Sequence, residues 1–320
     1  MQFNRHYAQT SGADRQKGFA LIVVIWVAVL LSLIAAAFSS SVRSRLRSVS
    51  SHADMVRSEA LADAGIRIAL MDMLNRGSNG SSGRRFPEDG TPVACAIGGD
   101  ASVVIQVEDE EGKVNLNTPN EEVLTALLTG LGAGQGKARG YAQRIMDFRD
   151  SDQDKRADGA ERSDYPKPSA GSPGPKDADF ASVDEVDQVL GLPADVRERA
   201  KPYLTAFSST PGIDTGTAQR GLKDVLVRGS NGIVAPADGD ASAVSISSDL
   251  PASFLSRSTH RSYTVRAEAV LASGARYVSE ALAGLPDGAA GSPVFQRWRR
   301  GTSHVAPGQA IPAPKSLPPC

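Results

Sequence analysis

The chain has 320 residues, 22% of them charged, with a formal net charge of -1. That length holds one large or two modest domains with a real core. The charge balance provides neither a global basic field for nucleic acid nor an acidic one for a cationic partner. Two cysteines, Cys95 and Cys320, form neither a disulfide framework nor a zinc pattern. They could pair in an oxidising compartment, but the sequence favours separate thiols, Cys95 in an apolar strand and Cys320 ending a loose tail.

Residues 19–38 carry no charge. At about 1.5 Å per residue such a helix matches a hydrocarbon core of about 30 Å. A signal-peptide apolar region runs to about 7–15 residues, so this one is long for removal, although "IAAAFSS" would serve as a small-residue cleavage site. Arg5, Arg15 and Lys17 precede the segment and Arg43, Arg45 and Arg47 follow it. Flanking charge therefore leaves its orientation open. Leu46, Val49, Ala53, Val56 and Ala60 continue at helical spacing, followed by Ala64, Ile68, Met71 and Leu74. No proline or glycine interrupts the run from Phe19 until Gly65. The spacing predicts one helix over 19–75, about 85 Å long. Its first half is apolar all round, and its second is amphipathic and suited to packing on a soluble domain.

A Gly- and Ser-rich loop follows over 77–90. "TPVACAI" and "ASVVIQVEDE" read as two strands around Gly98-Gly99-Asp100, with Val103, Ile105 and Val107 alternating against Val104, Gln106 and Glu108. In "KVNLNTPNEEVLTALLTGLG", Thr118 is the expected N-cap and Glu121 closes a capping box around Pro119. Leu124, Leu127 and Leu128 form the apolar face, and Gly130 and Gly132 end the helix. A second helix is expected over 135–148. "FASVDEVDQVLGLPADVRERAKPYLTAFS" reads as helix, tight turn, helix, with Ser182 and Glu185 as a capping box. Residues 209–258 show no clear period and read as loop. "RSYTVRAEAVLASGARYVSEALAG" reads as a hairpin around Ser273-Gly274, placed beside Val104 in one antiparallel sheet on the long helix. The Pro/Gly/Ala-rich stretch 285–320 reads as a mostly disordered tail.

The most specific polar cluster is "DFRDSDQDKRADGAERSDY". It packs Asp147, Asp150, Asp152, Asp154, Asp158, Glu161 and Asp164 into a short stretch. Carboxylates this close repel unless a cation neutralises them, and calcium takes six to eight oxygens at about 2.3–2.6 Å. Asp150, Asp152 and Asp154 open like an EF-hand loop with Glu161 twelfth, but Lys155 stands where that loop has glycine. The alternative is a solvated acidic loop balanced by Arg144, Arg149, Lys155, Arg156 and Arg162. "GLGAGQGKA" fails the P-loop pattern, with Ala138 in place of Ser or Thr. His6, His52, His260 and His304 lie in no metal-ligand spacing, and no nucleophile elbow occurs. No enzyme site is expected.

Lys17-Gly18 meeting Phe19 behind a basic leader resembles the type IV prepilin class: a short leader, a cut after Gly, then Phe and a retained apolar helix. Most of that class carry Glu as the fifth residue after the cut; here it is Val23. A carboxylate in a membrane is costly unless paired, and a subunit without a neighbour to pair with does better without one. "GFALIVVIWVAVLLSLIA" and "VEDEEGKVNLNTPNEEVL" resemble the general secretion pathway protein K family of minor pseudopilins. The resemblance implies an α+β pseudopilin fold: a long N-terminal helix packed on an antiparallel sheet, with a large all-α insertion between strands. Leader 1–18, helix 19–75 (19–38 in the membrane), α/β domain 76–112 and 209–284, insertion 113–208 and tail 285–320 are the expected boundaries.

It further implies cleavage between Gly18 and Phe19 by a prepilin peptidase, with methylation of the new amine. Structural calcium is implied at Asp147, Asp150, Asp152, Glu161 and Asp164. Implied partners are the I- and J-type minor pseudopilins, the inner-membrane secretion platform, and a secretin or secreted substrate. The implied location is single-pass in a bacterial inner membrane, N-terminus cytoplasmic and bulk periplasmic, at the tip of a fibre. The competing reading is a membrane-anchored nucleic-acid binding pilin-like protein. In that reading "GLGAGQGKARG" and "VLGLPADVRERA" act as helix-hairpin-helix units, although the acidic loop between them would repel phosphate.

Overall fold

The computed structural model describes residues 15–79, 86–118, 120–166, 174–231, 250–286, 291–303 and 312–320. The leader up to residue 14, Pro119, His6 and His304 lie outside the described residues. The chain divides into two units, 1–57 and 58–320.

Helix α1, Arg15–Asn79, provides the described part of the first unit and opens the second. In the first unit, Leu21–Ser39 has a mean hydropathy of 3.0 and none of it is buried. It is long and apolar enough to cross a membrane. In the second unit Ser58, Ala62, Ile66, Ala69, Leu70 and Met73 are buried. That face is rotated from the expected stripe, in which Val49, Val56 and Met71 prove exposed. The approach is closest at Gly65, where a Cβ would lie 2.9 Å from Val103 Cγ1 and 3.1 Å from Ala267 Cβ, and Ile66, Leu70 and Met73 pack on the sheet beside it.

Strands β1 (Val93–Ile97) and β2 (Ala101–Asp109) pair antiparallel around glycines 98 and 99, both at positive φ. After β2 the chain leaves the sheet through a 3-10 turn, Glu110–Gly112, and a short strand β3, Val114–Asn115. Helices α2 (Glu121–Gly130), α3 (Gln135–Arg149) and α4 (Ala194–Ala200) follow. Strand β4, Leu204–Thr205, pairs parallel with β3. Helix α5, Arg220–Ser230, then precedes β5 (Ser262–Leu271), β6 (Arg276–Gly284) and β7 (Val294–Arg300). The main sheet has the order β1-β2-β5-β6-β7, all antiparallel. Adjacent antiparallel strands can be joined by two residues; here β2 and β5 are joined by the helical body.

Two cores result. One lies between residues 62–73 of α1 and a sheet face formed by Val103, Ile105, Val107, Tyr263, Val265, Ala267 and Ala269. The other binds α2 to α5 and takes in Ile213, Ala218, Leu222, Val225, Leu226 and Phe254. These last six residues lie beyond 208, where the helical body was expected to end.

Several local expectations are corrected. Asn120, not Thr118, caps α2: its Oδ1 accepts from Val123 N at 2.8 Å. Thr118 instead donates to Thr210 O at 2.9 Å, and Glu121 turns to Arg139 rather than back to the cap. Ser182 begins a 3-10 segment, Val183–Gln188, rather than an α-helix. The stretch read as loop contains α5, whose short apolar side Leu222-Val225-Leu226 spans too few turns to stand out from its polar flanks. The described residues of the tail are ordered. Its flanking prolines and glycines hide β7, whose Arg299 meets Glu280 at 2.8 Å while Trp298 packs toward the core. The terminus is also fixed. Ala96 N donates to Pro318 O at 2.7 Å and Cys320 N to Ala96 O at 2.9 Å, and Cys95 and Cys320 form a disulfide. The two cysteines expected to stay apart are brought together because the end of the chain lies along the free edge of β1.

Candidate functional site

The acidic stretch starts in the last turn of α3 and continues into the loop after it. Asp147 is fully buried on the helix, which fixes its carboxylate before the loop arrives. Its Oδ2 accepts from Ala160 N at 2.9 Å and from Arg156 N at 3.3 Å. The return of the chain requires a glycine, since a Cβ on Gly159 would sit 1.8 Å from Asp147 Oδ2. That return brings Glu161, 3% exposed, to Asp147 and Asp150, one oxygen of each lying within 4.8 Å of the others.

Both carboxylate oxygens of Glu161 and Oδ1 of Asp150 are buried without a hydrogen-bond partner. Burial, and then the negative charges of Asp147, Asp150, Asp177 and Asp152, push the Glu161 carboxyl up to about 7. The guanidinium of Arg156 bridges Asp147 Oδ1 and Asp150 Oδ2, each at 2.5 Å, and provides cationic charge to two of the three acids. Unsatisfied buried carboxylate oxygens converging on one point fit a hard cation with oxygen ligands.

Asp152 and Asp164 lie outside this trio. Asp152 Oδ1 accepts from Asp154 N at 2.8 Å. Asp164 takes Glu161 N at 3.0 Å and the Lys155 ammonium at 3.0 Å, which hold its carboxyl below the ordinary value. Sequence reasoning missed the bridging role of Arg156 and the contribution of Asp177, which follows a separate segment and carries no local signal. Gly18 and Phe19 fall on the α1 backbone, and Val23 lies in the exposed apolar run.

A second feature fastens the helical body. Glu111, 2% exposed, accepts from Ser209 Oγ at 2.6 Å, Ser258 Oγ at 2.9 Å, Thr259 Oγ1 at 2.9 Å and the Thr259 amide. Burial raises its pKa, but the donors from Ser209, Thr259 and Ser258 outweigh that and leave it lowered. One carboxylate thus ties the start of the insertion to its end.

Basic side chains in and beside the two motifs of the nucleic-acid reading are paired with acids. Arg139 pairs with Glu121, Arg199 with Asp195, and Lys201 with Asp187 and Glu198. The nucleic-acid alternative gains no support from this arrangement.

A long helix laid on an antiparallel sheet, with a helical body inserted between neighbouring strands, defines a pseudopilin-like α+β protein with a large insertion. Residues 104–209 match the family model described as Type II secretion system (T2SS), protein K. A Type II secretion system protein K from Pectobacterium carotovorum subsp. carotovorum is 25% identical over 214 residues, 61% of this chain. The match spans 64% of that relative's length. The crystal structure of the GspK-GspI-GspJ complex from the enterotoxigenic Escherichia coli Type 2 Secretion System is similar in fold, with a TM-score of 0.57 at 16% identity. It covers 81% of this chain and 100% of the chain compared. Over residues 104–209 this chain is thus similar to the type II secretion system protein K family.

Proposed function

We propose that the chain is a minor pseudopilin at the tip of the type II secretion pseudopilus, where it initiates or caps fibre assembly for protein export. The observation that carries this reading is the helical body held between β2 and β5. A body of that size on the side of a subunit is hard to accommodate inside a packed helical shaft and is tolerated at its end. The solved relative's complex with GspI and GspJ supports partners of the I and J type. The apolar run of α1 supports a single-pass inner-membrane form with the N-terminus cytoplasmic and the bulk periplasmic, processed by a prepilin peptidase between Gly18 and Phe19. A disulfide joining Cys95 and Cys320 suits an oxidising compartment. Co-purification of the full chain with I- and J-type pseudopilins from its own membrane tests the reading. A stable ternary complex is expected, and its absence with all three subunits present would overturn the assignment.

Calcium is the cation proposed for the acid cluster, held by Asp147, Asp150 and Glu161 with Asp152 and Asp164 at the margin. Its contribution there is charge neutralisation that orders the loop after α3. Arg156 would have to give up part of its contact with Asp150. Calcium should raise the unfolding midpoint of the wild-type chain, and Asp150→Asn should reduce that gain. An unchanged gain would place calcium elsewhere.

A further inference from the structure

Apart from the acid cluster on α3, a second group of ligand-type side chains meets where the sheet gives way to the helical body. Asp109 ends β2, Glu88 lies shortly before β1, and His260 lies shortly before β5. Imidazole Nδ1 of His260 is 3.3 Å from Glu88 Oε2 and 3.3 Å from Asp109 Oδ2. One ligand atom from each of the three lies within 4.8 Å of the others. The carboxylates are buried, at 4% and 1% exposed, whereas the imidazole is half-exposed, so solvent reaches one side of the group.

The surroundings fix these side chains. The Asp109 amide donates to Glu88 O at 2.9 Å, which sets the two acids side by side. Asp109 Oδ1 accepts from Glu111 N at 2.9 Å, and Oδ2 accepts from Ser258 Oγ at 2.6 Å. The same Ser258 oxygen accepts from His260 N at 2.9 Å. Three separate stretches of chain are thus held around one point.

We propose that Glu88, Asp109 and His260 form a binding site for a divalent transition metal, with Zn2+ the ion of choice. Metal–ligand bonds of about 2.0–2.1 Å in a tetrahedron place neighbouring ligand atoms about 3.3 Å apart, the spacing at which the imidazole nitrogen stands from both carboxylates. Two carboxylates and a neutral imidazole carry two negative charges, which a divalent ion neutralises in a site where burial makes charge costly. The imidazole selects against calcium and magnesium, which prefer all-oxygen sites, and in favour of zinc. Ser258 supplies the outer hydrogen bond that orients a ligating carboxylate, and the exposed side of the imidazole leaves a route for the ion and a position for water. The ion ties the segment before β1, the end of β2 and the segment before β5 together at the base of the insertion.

The test uses the full chain in detergent, with calcium in excess to occupy the α3 cluster. Equilibrium dialysis against Zn2+ should give a site that His260→Asn weakens at least about tenfold. Asparagine tolerates the left-handed backbone of residue 260, whose φ is 55°, so this variant keeps the local fold. Co2+ in place of Zn2+ should show a visible band characteristic of low coordination number, lost in His260→Asn and in Asp109→Asn and kept in Asp150→Asn. A wild-type chain that binds no Zn2+, or a cobalt spectrum unchanged by His260→Asn, would overturn the proposal.

Discussion

Glu111 shows how one side chain secures a large insertion. Its carboxylate accepts donors from residues 209, 258 and 259, on both sides of α5, and no neutral side chain of the same shape accepts them equally well. Hydrogen bonds to a charged group contribute about 1.5–3 kcal/mol. Glu111→Gln is therefore expected to lower unfolding stability by about that amount at neutral pH, measured by denaturant titration. The sign with pH follows from the lowered carboxyl. The contribution is complete above the ordinary value of 4.5 and is lost as pH falls through the lower folded value, so wild type and variant should converge in acid. At the same scale, the acids of the α3 cluster were legible because seven of them crowd one stretch. Which three converge was not legible. That depends on the chain returning past Gly159 onto a helix-borne Asp147, a contact no local spacing encodes.

At the scale of elements, the hairpin β5–β6, the β1–β2 pair and helices α2 and α3 follow from alternation, from turn glycines and from apolar periodicity. Helix α5 does not, because what makes it a helix is its partner. A Cβ on Gly130 of α2 would lie 2.0 Å from Val225 O, and one on Gly229 of α5 would lie 1.8 Å from Ala126 O. The two helices cross with backbones in contact, so each glycine has a meaning only in the presence of the other helix. Gly130→Ala must push them apart, with an expected loss of about 1–3 kcal/mol in thermal or denaturant unfolding. The C-terminal segment is a second case. Proline-rich composition concealed a strap that covers the edge of β1 and is fastened by the disulfide. Cys320→Ser should cost roughly 2–4 kcal/mol and speed hydrogen exchange at the Ala96 amide, which donates to Pro318 O. Unchanged exchange there would show that the strap holds without its covalent link.

At the scale of the whole molecule, the order of elements in the chain explains the architecture: sheet strands at 93–109 and 262–300 enclose the helical residues that carry the family match. The apolar run was legible because membrane crossing is a matter of length and composition, whereas the packing of Ile213, Leu222 and Phe254 into the second core depends on contacts distant in sequence. The proposed role requires that Leu21–Ser39 remain in the mature protein, with Val23 in a position that in most of the prepilin class carries an acid. The most direct measurement is the N-terminus of the membrane-bound product, determined by mass spectrometry after co-expression of the full chain with an active prepilin peptidase. The account predicts a chain beginning at Phe19 with a methylated amine. A chain beginning near Phe38, or one left uncut beside an active peptidase, would contradict it.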